Sequence, residues 1–140
     1  MVSEENNMLK LMLVDDDKIL WEIPLQAGQW DRRKLRRELD TMEQENQRFL
    51  KIVNAMANRS RMRMMRTIVY QNQVPIGFTE LMNRLDMNPK IVSESTKKLR
   101  TSGLIEKNKE GKYQPTRQGE AQFLMMNIAM KRMLDFLEEI

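Results

Sequence analysis

Between positions 90 and 112 the chain sets cations and short polar groups along what would be one helix face and one small ribbon. They are Lys90, Ser93, Glu94, Lys97, Lys98 and Arg100, followed by Lys107, Lys109 and Lys112. Ammonium and guanidinium groups in such a row neutralise a polyanion, while a hydroxyl and a carboxylate can read hydrogen-bonding edges. The chemistry on offer is therefore recognition rather than bond making. Other chemistries are poorly supplied. With no His and no Cys, the chain lacks the commonest general base, a thiolate nucleophile, and the imidazole and thiolate ligands of transition-metal sites. There is no glycine-rich phosphate loop, and Ser93, Ser95 and Ser102 have no general base nearby in sequence. No catalysis, cofactor or metal is expected. Asp15, Asp16 and Asp17 lack the further acidic ligand and the glycine that a calcium loop places at fixed spacing, so they read as a solvated turn.

The elements that must position these residues are legible nearby. Thr79 is expected to cap a short helix carrying Leu81, Met82 and Leu85 on its apolar face. A turn at Asp86-Met87-Asn88 follows. Asn88 is a good N-cap, and Pro89 suits the first helical position, where its missing N–H costs nothing. A second helix should run from Pro89 to about Ser102 and stop at Gly103, with Val92, Thr96 and Leu99 inward. Leu104 to Lys107 and Lys112 to Gln114 read as two strands, joined through Asn108-Lys109-Glu110-Gly111, whose glycine supplies a positive φ. Pro115-Thr116 ends the ribbon, and Thr116 caps another helix, with Glu120 one residue too far for a strict capping box. Two short helices and a charged hairpin outline a winged helix-turn-helix.

The stretch from about Phe49 to Glu120 resembles the winged-helix domain of the arsenical-resistance-repressor (ArsR-like) group of prokaryotic, especially archaeal, transcription regulators. Ala57-Asn58-Arg59-Ser60-Arg61-Met62-Arg63-Met64-Met65 resembles the opening helix of that group, and Phe78-Thr79-Glu80-Leu81 the start of the next. Val92-Ser93, Lys97-Lys98-Leu99 and Gly103-Leu104-Ile105 resemble the recognition helix and its exit, and Tyr113, Thr116 and Gly119-Glu120 the end of the wing. The resemblance implies a DNA-binding regulator. It also implies which residues would touch DNA: Lys90, Ser93, Glu94 and Lys97 nearest base edges, and Lys98 and Arg100 on phosphates. Lys107, Lys109, Lys112 and the ring of Tyr113 would lie on the flanking backbone or minor groove. Arg61 and Arg63 could add phosphate contacts, with one of the two structural. Where relatives carry Arg and then His before a core residue, this chain has Glu94, Ser95 and Thr96, so their base preference does not transfer. The metal-sensing Cys and His of some members are missing.

Two long apolar stripes flank the motif. Leu35, Leu39, Met42, Asn46, Phe49, Val53 and Met56 alternate by four and three, a coiled-coil pattern with one polar member. Phe123, Met126, Met130, Met133, Leu137 and Ile140 repeat the device at the C-terminus. Homodimerisation through one or both is expected, with Phe49 to Met56 packing partly on its own subunit. The methionines read as gap-filling core residues. At the N-terminus, Met8 to Val14 and Lys18 to Leu25 read as a hairpin with Ile19, Trp21, Ile23 and Leu25 on one face, marginal unless it packs on something. Arg32, Arg33, Arg36 and Arg37, interleaved with Asp31, Glu38 and Asp40, read as an exposed salt-bridged face, with a second DNA or partner surface as the alternative.

The fold expected is mainly α with a small β component (α+β): a winged helix-turn-helix with an N-terminal hairpin and long flanking helices. The segments are 1–30 (hairpin), 31–56 (one long helix), 57–116 (winged domain) and 117–140 (C-terminal helix). Formal net charge is +4, but residues 1–60 hold 10 Lys+Arg against 11 Asp+Glu and residues 61–140 hold 14 against 9. The excess lies with the motif. No apolar run approaches the roughly 20 residues that span a bilayer, and MVSEENN is unlike a signal peptide. A cytoplasmic, nucleoid-associated protein is expected, with double-stranded DNA and itself as partners, no membrane, and no effector marked by the sequence. A sequence-specific regulator, most simply a repressor, is the leading reading. A winged-helix protein-interaction adaptor and a weakly specific architectural DNA-binding protein are the alternatives.

Overall fold

Two runs of apolar residues meet at an aspartate turn and pair as an antiparallel hairpin, β1 (Lys10–Asp15) with β2 (Lys18–Pro24). Asp16 takes the left-handed conformation at the turn, φ 51°, which aspartate tolerates better than most residues. The register shifts between Leu13 and Val14, since Leu13 faces Trp21 and Val14 faces Ile19. Leu20 is thus an extra residue, and the strict alternation expected for Ile19 through Leu25 is broken at this bulge. The computed structural model describes residues 8–71 and 74–139, and the chain divides into two units, Met1–Asn46 and Gln47–Ile140.

The first unit continues through a 3-10 turn at Ala27–Gln29 into α1 (Arg32–Gln44). Asp31 caps this helix, its carboxylate accepting from the backbone N–H of Arg33 and Lys34 at 2.9 and 3.1 Å. The Trp30 indole donates to the Pro24 carbonyl at 2.8 Å. One hairpin and one helix cannot enclose a core, and none of the unit's described residues is buried. The salt-bridged face expected at Arg32, Arg33, Arg36 and Arg37 does not form: all four are exposed, and none lies in an ion pair among the described residues.

The single helix expected over 31–56 is two helices. Glu45 leaves the helical region (φ −117°, ψ 23°), and α2 then runs Asn46–Met56. Asn46 is a poor helix former, and no residue from 40 to 50 is buried to hold a continuous helix across it.

The second unit has a proper core. The C-terminal end of α2 contributes Ala55 and Met56, and α3 (Arg59–Tyr70), capped by Asn58, contributes Met64, Met65 and Ile68. Next come α4 (Phe78–Leu85) and α5 (Pro89–Thr101), the two helices of the helix-turn-helix. Helix α4 begins one residue before Thr79, with Gly77 as its cap and no side-chain cap bond. Half-buried Phe78 packs on the core and draws that residue into the helix, so Thr79 is not the cap the sequence suggested. Asp86 turns the chain with φ 51°, and the Asn88 side-chain oxygen Oδ1 accepts from Ile91 N–H at 2.9 Å. The wing is β3 (Ile105–Lys107) paired with β4 (Tyr113–Pro115), and Tyr113 also bridges to Ile76. The last helical stretch comprises α6 (Arg117–Leu124), a π-helical turn at Met125–Ala129, and α7 (Met130–Glu139). The fold is a mainly helical winged helix-turn-helix with two small hairpins, as expected. Among the described residues no helix is long and apolar enough to cross a membrane.

Candidate nucleic-acid interface

Helix α5 owes its orientation to a narrow inner arc. Val92, Ser95, Thr96 and Leu99 are buried, and at 100° per residue they occupy one side of the helix. Ser95 belongs to that arc although apolar spacing points only to Val92, Thr96 and Leu99; its small side chain allows close packing. The opposite arc carries Lys90, Ser93, Glu94, Lys97 and Arg100, all exposed, with Lys98 half-buried at its edge. Capping fixes both ends of this surface, Asn88 and Pro89 at the start and Gly103 at φ 78° just past the end.

The wing is set against α5 by a second group of local bonds. Asn108 accepts through its side-chain oxygen from the N–H of Glu110 and of Lys112, both at 2.9 Å, and Gly111 takes φ 79°. At the base, Thr116 donates its hydroxyl to the Gly103 carbonyl at 2.7 Å and accepts from Gly119 N–H at 2.8 Å. One residue therefore caps α6 and fastens it to the exit of α5. Gly119 is required there, because a Cβ at this position would lie 2.0 Å from the Leu104 carbonyl oxygen. Lys107, Lys109 and Lys112 are exposed on the ribbon. The outer face of α5 and strand β3 border one groove lined by Lys97, Arg100, Thr101, Ile105, Glu106 and Lys107.

Among the described residues no cation of α5 or the wing is in an ion pair; the pairs there are Lys10–Glu22, Arg84–Glu80 and Lys131–Asp135. Lys107 is the one with an aromatic neighbour, its Nζ 5.6 Å from the centroid of the Tyr113 ring. Such a surface holds its positive charge without internal neutralisation, which suits phosphates. Glu94 stands exposed among these cations, Glu106 accepts from the Gln114 amide at 2.9 Å, and Glu110 lies at the wing tip.

Three residues on the sequence-based list are placed differently. Tyr113 is 4% exposed, so its ring belongs to the core and cannot lie on a DNA backbone; the pairing of β4 with both β3 and Ile76 turns it inward. Arg61 donates Nε to the Ala55 carbonyl and Nη2 to that of Asn54, two carbonyls of the last turn of α2. Arg63 donates Nη2 to the Leu85 carbonyl at the end of α4, at 3.3 Å. Both arginines thus serve helix C-termini, where one structural arginine had been expected.

The residues expected at a dimer interface also separate. Phe123 is 9% exposed and lies in the core of its own chain, and Met126 packs against that core, so both leave the interface list. Met130 and Leu137 are exposed and Met133 is half-buried. Ile140 lies outside the described residues. On the other stripe Leu39, Met42 and Phe49 are exposed, and Leu35 and Asn46 half-buried. The π turn explains why the C-terminal stripe differs from the spacing in the sequence. It inserts one residue into the helical phase, and Asn127 supports it by donating to the Phe123 carbonyl at 2.9 Å. Leu124, Met125, Ile128, Leu134 and Phe136 are also exposed along this stretch; a constant heptad count could not find them.

No family model matches this chain, and no curated protein matches it. Among solved structures it is similar to the homodimeric winged helix-turn-helix DNA-binding domain (fragment 1–100) of Mb0332 from Mycobacterium bovis, a possible ArsR-family transcriptional regulator. That likeness has a TM-score of 0.55 at 21% identity and covers 79% of this chain and 95% of the other. A second similar structure is reduced HlyU from Vibrio cholerae, with a TM-score of 0.52 at 22% identity, covering 62% of this chain and 95% of that one. At this identity the likeness shows the fold, a winged helix-turn-helix.

Proposed function

We propose that this protein is a sequence-specific double-stranded DNA-binding transcription regulator, acting as a homodimer and most simply as a repressor. The observation that carries the reading is the set of exposed cations, none in an ion pair among the described residues, on α5 and on the wing to either side of one groove. Helix α5 enters the major groove, with Lys90, Ser93, Glu94 and Lys97 toward base edges and Arg100 and Lys98 toward phosphates. Glu94 can accept from a cytosine amine. Lys107, Lys109 and Lys112 hold the flanking backbone. Two copies, joined through the apolar face of α6, the π turn and α7, present two recognition helices about 34–36 Å apart to a near-palindromic site. Occupancy of that site excludes other proteins from the same DNA, which is how repression follows from binding alone.

The test is the double charge reversal Lys97→Glu with Lys109→Glu. Both side chains are exposed and make no contact that the fold depends on, so the variant should keep its dimer in light scattering. Its affinity for duplex DNA should fall at least about tenfold at moderate salt, as two phosphate contacts are lost and two repulsions gained. Wild-type affinity in the double variant would remove α5 and the wing from the interface.

A further inference from the structure

The first two turns of α1 carry Arg32, Arg33, Lys34, Arg36 and Arg37, and although Glu22 and Glu38 border one depression with Lys34 and Arg37, no carboxylate forms an ion pair with the cluster among the described residues. Every one of these residues is exposed, and none is in an ion pair among the described residues. Asp31 is committed to the backbone N–H groups of Arg33 and Lys34. Asp40, one turn beyond Arg36, shares a shallow surface depression with Arg32, Arg33 and Arg36 but lies within salt-bridge distance of none of them.

The placement is adverse for the helix by itself. Arg32 with Arg36 and Arg33 with Arg37 are like charges at the i,i+4 spacing, which repel. Arg32, Arg33 and Lys34 also sit in the first turn, at the positive end of the helix dipole, where anions and not cations are favoured. A free helix would be better served by acids here. The arrangement becomes favourable when an external polyanion occupies the face, since it relieves both the mutual repulsion and the dipole conflict at once. The residue type narrows the ligand. The cluster is arginine-rich where α5 and the wing are lysine-rich, and a guanidinium offers a planar fork of donors that grips phosphate oxygens in pairs.

We propose that the arginine face of α1 is a second phosphate-binding surface, engaging the backbone of the same DNA duplex that α5 and the wing engage. This inference rests on the DNA-binding reading above. Covalent connection of the two units makes the second contact intramolecular once the first has formed, so it raises affinity without adding sequence preference. Helix α1 and the winged domain then divide the work, the first holding the backbone and the second reading bases.

The test is a four-site variant of the full chain, Arg32→Gln, Arg33→Gln, Arg36→Gln and Arg37→Gln, compared with wild type by fluorescence anisotropy on one duplex across a salt series. Each phosphate contact contributes about 0.9 to the slope of log affinity against log salt. The variant should lose between about two and four such units and bind more weakly on specific and random duplex alike, with its preference between them unchanged. The matching Arg→Lys variant should recover most of the slope, because charge without the fork still neutralises phosphate, and this controls for folding. Equal slope and affinity in wild type and the Gln variant would overturn the inference while leaving the DNA-binding reading standing. No binding by wild type at low salt would overturn both.

Discussion

Gly119 shows how much of the proposed interface depends on one backbone approach. A Cβ there would meet the Leu104 carbonyl oxygen at 2.0 Å and its carbon at 2.6 Å, and these are backbone atoms that no rotamer change can move. Gly119→Ala should therefore push α6 away from the base of the wing and destabilise the protein by about 1–3 kcal/mol or more. Denaturant unfolding would show this as a lower midpoint, and an unchanged midpoint would mean that α6 and the wing are not packed as described. The residues that sequence reasoning placed correctly follow local rules. Asn88 with Pro89 joins a good N-cap to a residue suited to the first helical position, and Gly103 and Gly111 adopt the positive φ that glycine supplies at such stops and turns. Tyr113 and Phe123 were misplaced, and which of Arg61 and Arg63 is structural was left open, because burial and carbonyl capping depend on partners brought in by tertiary structure, Ile76 for Tyr113 and the end of α2 for Arg61. Nothing in the few residues around them carries that information.

Among the elements, the helix-turn-helix and wing were the most legible, since each is bounded by a cap, a turn or a glycine in its own sequence. The long flanking helices were less so. The break at Glu45 follows from weak propensity with no burial to override it, and the π turn at Met125–Ala129 interrupts the helical phase, with Asn127 bonded back to the Phe123 carbonyl beside it. Both changes alter which apolar residues face outward without altering the residues themselves. The exposed stripe on α7, with Leu134 and Leu137 54% and 41% exposed, is the part of the C-terminal helix that a partner copy would cover. Leu134→Glu with Leu137→Glu should leave the core intact and shift the protein to monomer in analytical ultracentrifugation, because burying two carboxylates in an apolar interface is strongly unfavourable. A dimer of undiminished strength would move the contact elsewhere, with the exposed faces of α1 and α2 next to be tested.

At the scale of the whole molecule, charge and core are divided between two units. The second unit has the buried core and the lysine-rich face; the first has no buried residue among those described and carries the arginine cluster. Composition hinted at the first half of this division, since the basic excess falls after residue 60, but the near-neutral sum of the first sixty residues concealed a concentrated patch. A net charge averages over distances that a phosphate does not. The central proposal is that this surface reads DNA, and a direct measurement is fluorescence anisotropy of the full chain on the DNA upstream of its own coding sequence and on random duplex of equal length, across a salt series. Tighter binding to the upstream DNA, with affinity falling as salt rises by about 0.9 in log–log slope for each neutralised phosphate, is the result expected of a specific regulator. No binding to either duplex at low salt would contradict it.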